Sequence, residues 1–158
     1  MRGDGEAESE RWSYRADPRV PPFQEDAAVV VLDGACALCS FGARLIARFD
    51  RRARIRICPL QTELGRALLT HYGIDPDDPE SWLFLAEGRA WTAFDAWIRV
   101  AETCGGLGRL LSVFWILPRP VRDWIYRRVA RNRIALFGPA DICALPDPRL
   151  KARLIGVR

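Results

Sequence analysis

Ala27-Ala28-Val29-Val30-Val31-Leu32-Asp33-Gly34-Ala35-Cys36-Ala37-Leu38-Cys39 is the stretch from which the rest of the 158-residue chain can be read. Its first six residues form a short apolar run rich in β-branched side chains, the pattern of a strand buried on both faces. Asp33-Gly34 breaks the run. From the cysteine pair to Arg51, the positions of Phe41, Leu45, Ile46 and Phe49 place apolar side chains on one face and predict an amphipathic helix. Two cysteines three apart at a helix start share a face and lie within disulfide reach. The unpaired amides of the first turn and the helix dipole favour an anion there, which marks Cys36 as the low-pKa, exposed nucleophile. Cys39, one turn further in, reads as the shielded resolving thiol. Asp33, three residues before Cys36, either handles the Cys39 proton during exchange or makes an Asp-Gly turn, and both readings stay open.

Working outward, Arg54-Ile55-Arg56-Ile57-Cys58 alternates with period two and predicts a second strand, ended by Pro59. Thr62 is placed to cap a helix carrying Leu64, Ala67, Leu68 and Leu69, with Gly73 as its stop. Ser81 to Ala86 and Arg89 to Thr92 flank Glu87-Gly88, a hairpin signal. A further helix is expected from Thr92, with Thr92-x-x-Asp95 as its capping box, to Gly105-Gly106. The order strand, helix, strand, helix, strand, strand, helix is a βαβ unit followed by a ββα unit, the thioredoxin arrangement. In it a Cys-x-x-Cys joining the first strand to the first helix reads as a redox motif. Pro79 is the candidate for a proline facing the dithiol. Beyond this core, Leu107 to Leu117 and Val121 to Arg133 predict two helices parted by Pro118-Arg119-Pro120, and 137–143 reads as a loop. The expected architecture is α/β, thioredoxin-like, with an appended C-terminal helical pair.

Composition narrows the chemistry. Lys151 is the only lysine, so Schiff-base catalysis is disfavoured. His71 is the only histidine, which excludes multi-histidine metal sites; near a helix end it is expected to meet the dipole or solvent. Five cysteines, an odd number, fit a paired secreted scaffold poorly, and the polar first residues do not resemble a signal peptide. The expected location is the cytoplasm, where a close cysteine pair is catalytic or metal-binding rather than a staple. Residues 1–26, with seven acids against four arginines and three prolines, are expected to be a largely disordered tail, although Trp12 and Tyr14 are able to dock. The domain is drawn over 27–147, and 148–158 reads as a C-terminal tail. Arg109 to Arg133 carries seven arginines and one acid, interleaved with Phe114, Trp115, Trp124 and Tyr126. Its expected role is amphipathic cover over the sheet with arginines in solvent, weighed against weak contact with an anionic membrane surface. No nucleic-acid partner is expected.

Asp33…Cys36-x-x-Cys39 after an apolar strand resembles the signature of the DCC family of thiol-disulfide oxidoreductases, named for an aspartate and two cysteines. Further matches follow in order: Pro59-Leu60-Gln61, Asp95-Ala96, Pro118-Arg119-Pro120-Val121-Arg122-Asp123, Ala130-Arg131-Asn132-Arg133, and Asp141-x-Cys143 with Leu145-Pro146. The resemblance covers about residues 28 to 147. It implies a thioredoxin-like fold and protein-disulfide reductase activity with Cys36 and Cys39 as the redox pair; because the cysteines carry the electrons no cofactor is expected, and protein or small-molecule thiols and disulfides are the expected partners. Ala37-Leu38 stands between the cysteines where the better-known thioredoxins have Gly-Pro. Two other readings remain at this point. One is a non-enzymatic adaptor using the arginine-rich helices to bind a membrane surface or an acidic partner. The other is a zinc-thiolate module that adds Cys58 and Cys143 or Cys104 to the pair. Outside those readings, Cys58 and Cys104 are expected to be buried small hydrophobes, and Cys143 a loop residue or a third thiol.

Overall fold

The computed structural model describes residues 11–77 and 82–157. The apolar run becomes β1 (Ala28–Leu32), followed by α1 (Ala37–Phe49), β2 (Ile55–Pro59), α2 (Glu63–His71), β3 (Leu83–Ala86), β4 (Arg89–Thr92) and α3 (Ala93–Cys104). The sheet order is β2-β1-β3-β4, with β1 and β2 parallel and the other pairs antiparallel. This is a four-stranded mixed sheet in an α/β, thioredoxin-like architecture. β1 shows why its sequence is apolar throughout. Val30 and Leu32 enter the core shared with Ala43 and Ile46 of α1 and Ala96 of α3. Val29 and Val31 enter a second core with Leu64, Leu68 and Leu69 of α2. A strand covered on both faces has no polar side to show.

Local signals behave as their chemistry requires. The Thr62 hydroxyl accepts from the Gly65 amide at 3.0 Å, capping α2. Glu87 and Gly88 both take positive φ (51° and 75°), the two left-handed residues of a tight hairpin turn. Pro59 ends β2, an edge strand that pairs with β1, and there its missing donor is tolerated. Thr92 departs from expectation: it makes no side-chain cap. Asp95 is instead buried and ion-paired with Arg122 of α4 (Arg119–Phe137), tying α3 to the C-terminal helix. Burial pushes the Asp95 carboxyl above the usual carboxylate range, against the pull of Arg122.

Both drawn tails are structured where they are described. Tyr14 is buried in the α2-side core, stacking on Phe23 at 5.5 Å, and the Trp12 amide donates to Gly88 O at 2.8 Å. His71 is neither solvated nor a mere dipole partner: Nδ1 meets Asp17 Oδ2 at 2.8 Å and Nε2 meets Ser13 Oγ at 2.9 Å. The charge count of 1–26 misses that a few aromatic residues suffice to cover the sheet face that the short α2 leaves bare. At the other end, α5 (Pro148–Lys151) buries Leu150, and Ile57 exchanges hydrogen bonds with Arg153 and Ile155. Arg153 is buried and pairs with Asp50 at 2.7 Å. Residues 148–155 thus cover the outer edge of β2, whose free amides and carbonyls need a partner.

The segment after α3 is not an α-helix. Gly105 and Gly106, both at positive φ, redirect the chain into a 3-10 helix, Gly106–Ile116, which buries none of its residues fully. Gly108 lies so close to α3 that a methyl group there would fall 2.4 Å from Ala101 O. Phe114 packs edge-on against Phe94 at 5.6 Å. No helix among the described residues is long and apolar enough to cross a membrane.

Candidate functional site

β1 delivers the chain to Asp33, and a tight turn, closed by the Cys36 amide donating to Asp33 O at 3.3 Å, sets Cys36 as the N-cap of α1. Its carbonyl accepts the Ser40 amide at 2.9 Å, so the helix starts on the first cysteine and carries Cys39 into its first turn. Both cysteines are free, and they sit one helical turn apart, Cys36 at the N-cap and Cys39 in the first turn of α1. Cys39 is buried and receives the Trp82 indole N–H at 3.2 Å. Burial pushes its thiol up to about 12; the neighbouring Cys36 adds to this, while the Trp82 hydrogen bond and the charge of Arg133 oppose it.

Cys36 is not exposed as expected; its relative accessibility is 0%. The reason is a strap formed by residues 138–142. Ala37 N donates to Gly138 O at 3.2 Å, Ala140 N to Ala35 O at 2.9 Å and Ile142 N to Gly34 O at 2.9 Å. Cys36 and Pro139 form a bridge, and Ile142 drops into the core beside the dithiol. The segment reads as a loop in sequence because its pairing is to residues a hundred positions away. It leaves Cys143 exposed, its amide bonded to Asp141 Oδ1 at 2.9 Å.

Asp33 is the hub of the loop. Oδ1 accepts from the Ala35 amide at 2.9 Å and from Gln61 Nε2 at 2.8 Å, while Gln61 Oε1 accepts from the Gly34 amide at 3.0 Å. Oδ2 pairs with Arg133 at 3.2 Å, both side chains being mostly buried. The turn-forming role is therefore realised. Arg133, held by Asp33, is the charge that acts on Cys39.

Pro79, the proline expected to face the dithiol, lies outside the described residues; Trp82 stands immediately before β3. Its ring lies over Gly42 so closely that a methyl group there would fall 2.5 Å from Cη2. The Trp82 amide donates to Tyr126 Oη at 3.0 Å, and Trp97 packs edge-on against both rings, at 5.6 and 5.4 Å. Trp82, Gln61, Tyr126 and Arg133 are site residues that reading the motif alone misses. A signal existed for two of them. Gln61 lies in Pro59-Leu60-Gln61 and Arg133 ends Ala130-Arg131-Asn132-Arg133, scattered matches that the fold gathers around Asp33.

The other cysteines stand apart. Cys58 lies in the α2-side core, its thiol 3.4 Å from Thr62 Oγ1, so the sheet separates it from the pair. Burial pushes Cys58 and the partly buried Cys104 up to about 11. Among the described residues no group of three or more metal-binding side chains is assembled. A cleft of about 1100 Å³ lined by Arg44, Arg48, Arg51, Arg56 and Arg149 lies toward the opposite end of α1 from the cysteines.

The chain is 35% identical over 127 residues to the uncharacterized protein YuxK of Bacillus subtilis, covering 80% of this chain and 93% of that one. It is 34% identical over 125 residues to the DCC family protein At1g52590, chloroplastic, of Arabidopsis thaliana, covering 78% and 73%. No solved structure matches it. Residues 30–139, from the middle of β1 through the strap residue Pro139, match the DCC1-like thiol-disulfide oxidoreductase family. With the dithiol, the Asp33 hub and the strap all falling within or beside that span, the chain belongs to the DCC1-like thiol-disulfide oxidoreductase family.

Proposed function

We propose that this protein reduces disulfides of the protein-disulfide type through Cys36 and Cys39 in a reducing compartment such as the cytoplasm. The observation that carries the reading is the pair of free thiols one turn apart at the start of α1, with Cys39 held by the Trp82 indole. The Cys36 thiolate attacks one sulfur of the substrate disulfide, forming a mixed disulfide and releasing the other substrate sulfur as a thiolate that takes a proton. Cys39 then loses its proton and attacks Cys36 Sγ, closing the Cys36–Cys39 disulfide and releasing the second substrate thiol. The protein gives up two electrons to the substrate, and an external thiol restores the dithiol.

The Cys39 step is the demanding one, because burial favours its protonated form. Arg133 and the Trp82 N–H both favour the thiolate that must form. Asp33 acts chiefly by holding Arg133 and, with Gln61, the loop that presents Cys36. Access to Cys36 requires the 138–142 strap to lift, so the substrate adds to an opened state.

The test is equilibration of the protein in glutathione redox buffers, with the cysteines mapped by mass spectrometry and insulin-disulfide reduction followed in parallel. A single Cys36–Cys39 disulfide forming reversibly with turnover is expected. A stable bridge from Cys36 to Cys58 instead, or a reversible pair with no reduction of any disulfide, refutes the proposal.

A further inference from the structure

The 3-10 helix Gly106–Ile116 presents an unusual surface. Three residues per turn bring side chains three apart into line. Leu107, Leu110, Val113 and Ile116 therefore form one straight row, and they are 78%, 68%, 57% and 80% exposed. The other two rows are differently occupied. Gly108 and Phe114 pack on α3, and Trp115 Nε1 donates to Glu102 Oε1 at 2.9 Å. The helix is thus anchored on two sides and offers water an unbroken aliphatic ridge. At roughly 2 Å of rise per residue the ridge is about 20 Å long. Scattered exposed leucines are ordinary; four in register along one edge mark a contact surface.

Charge identifies what would cover it. No acidic residue occurs from Thr103 to Arg122, and Arg109, Arg119, Arg127, Arg128 and Arg131 are exposed along the ridge and the α4 that follows. Trp124 is also 65% exposed. An aliphatic edge in a stretch with Arg109 within it, Arg119 just beyond its end and no acid, followed by an α4 that exposes further arginines and Trp124, matches the interface of an anionic bilayer, where apolar side chains enter shallowly and guanidinium groups meet lipid phosphates. A second copy of the chain fits less well. A symmetric contact would set two arginine clusters together, and one row of four side chains is far short of the area a stable dimer buries. The acidic residues 1–10 contain only Met1 and Ala7 as apolar side chains and have nothing with which to cover the ridge.

We infer that the 106–116 ridge seats this protein peripherally on anionic membrane surfaces, with the arginines of α4 meeting lipid phosphates. Surface docking by a row of exposed side chains is independent of the redox proposal and survives its failure.

The experiment is co-sedimentation of the full chain with phosphatidylglycerol–phosphatidylcholine vesicles and with phosphatidylcholine vesicles alone, alongside sedimentation velocity without lipid. Wild-type protein binds the anionic vesicles and only weakly the neutral ones. The doubly substituted L110S/I116S chain, altered at two exposed positions, keeps its circular dichroism and binds at least about tenfold more weakly. Substituting Arg127→Gln, Arg128→Gln and Arg131→Gln together weakens anionic binding without touching the ridge. The inference is overturned if wild-type protein ignores anionic vesicles, or if L110S/I116S binds them as well as wild type. A concentration-dependent dimer that L110S/I116S abolishes, without lipid binding, likewise overturns it and reassigns the ridge to self-association.

Discussion

Replacing Ile142 by alanine should unlatch the dithiol. Ile142 is 1% exposed and is the one side chain of the strap that enters the core, while three backbone hydrogen bonds hold 138–142 to 34–37. Opening the strap withdraws Ile142 from that core. Alanine removes three carbons, and at ~0.8 kcal/mol for each buried methylene the opening becomes about 2.4 kcal/mol easier. With 1.4 kcal/mol per factor of ten, the open state becomes about 50-fold more populated. Alkylation of Cys36 by iodoacetamide, followed by mass spectrometry under native conditions, should accelerate by that factor. Cys58 is an internal control, because it is equally buried but lies on the other face of the sheet. Its alkylation needs a wider unfolding and should change far less. If Cys36 and Cys58 accelerate in parallel, Ile142→Ala loosens the whole domain and the strap is no separate latch. If Cys36 reacts at the wild-type rate, the strap does not control access at all.

Cys39→Ser should accumulate a mixed disulfide with substrate on Cys36, whereas Cys36→Ser should accumulate none, read by non-reducing electrophoresis; the opposite pattern reverses the roles. Trp82→Phe removes the N–H that Cys39 Sγ accepts and should slow closure of the internal disulfide by about tenfold, for a hydrogen bond to a charged sulfur near 1.5 kcal/mol. An unchanged closure rate in stopped-flow thiol release argues against that hydrogen bond acting in the step. Cys39 is pushed up to about 12, and Cys58 and Cys104 to about 11, from an ordinary value of 9.0. Above about pH 9 the unfolded chain releases these protons while the folded chain keeps them, so stability falls as pH rises, and urea midpoints should drop between about pH 9 and pH 11. Arg122→Met strands the buried Asp95 and should cost about 3–5 kcal/mol in urea unfolding, a loss that adding Asp95→Leu largely reverses.

How the elements order themselves was legible in the chain because it rests on local patterns. Val29 to Leu32, the Thr62 cap and the Glu87-Gly88 turn each state their conformation within a few residues. The helix-start spacing of Cys36 and Cys39 likewise brings the thiols together without help from elsewhere. Period three in Leu107, Leu110, Val113 and Ile116 was open to inspection too, yet an α-helix is the ordinary solution for eleven apolar-rich residues. Only the glycines at 105 and 106 and the close seat of Gly108 on α3 tip the backbone into the tighter winding.

Long-range partnership was not legible. Thr92-x-x-Asp95 has the form of a capping box, but burial against α4 gives Asp95 to Arg122. His71 binds Ser13 and Asp17 across more than fifty residues, turning part of an acidic tail into cover for the sheet. Helix-end position alone predicts Cys36 in solvent, and the strap reverses this with hydrogen bonds from residues about a hundred positions away. The place of Cys36 and Cys39 between strand and helix was determined by sequence alone, because turn and helix geometry are short-range. The environment of that pair, meaning which charge reaches Cys39, which indole holds it and what shuts Cys36 from water, was decided by tertiary structure. Burial and electrostatics depend on whatever is nearest in space, and folding brings Gln61, Trp82, Arg133 and Ile142 to positions 34–39 from four separate parts of the chain.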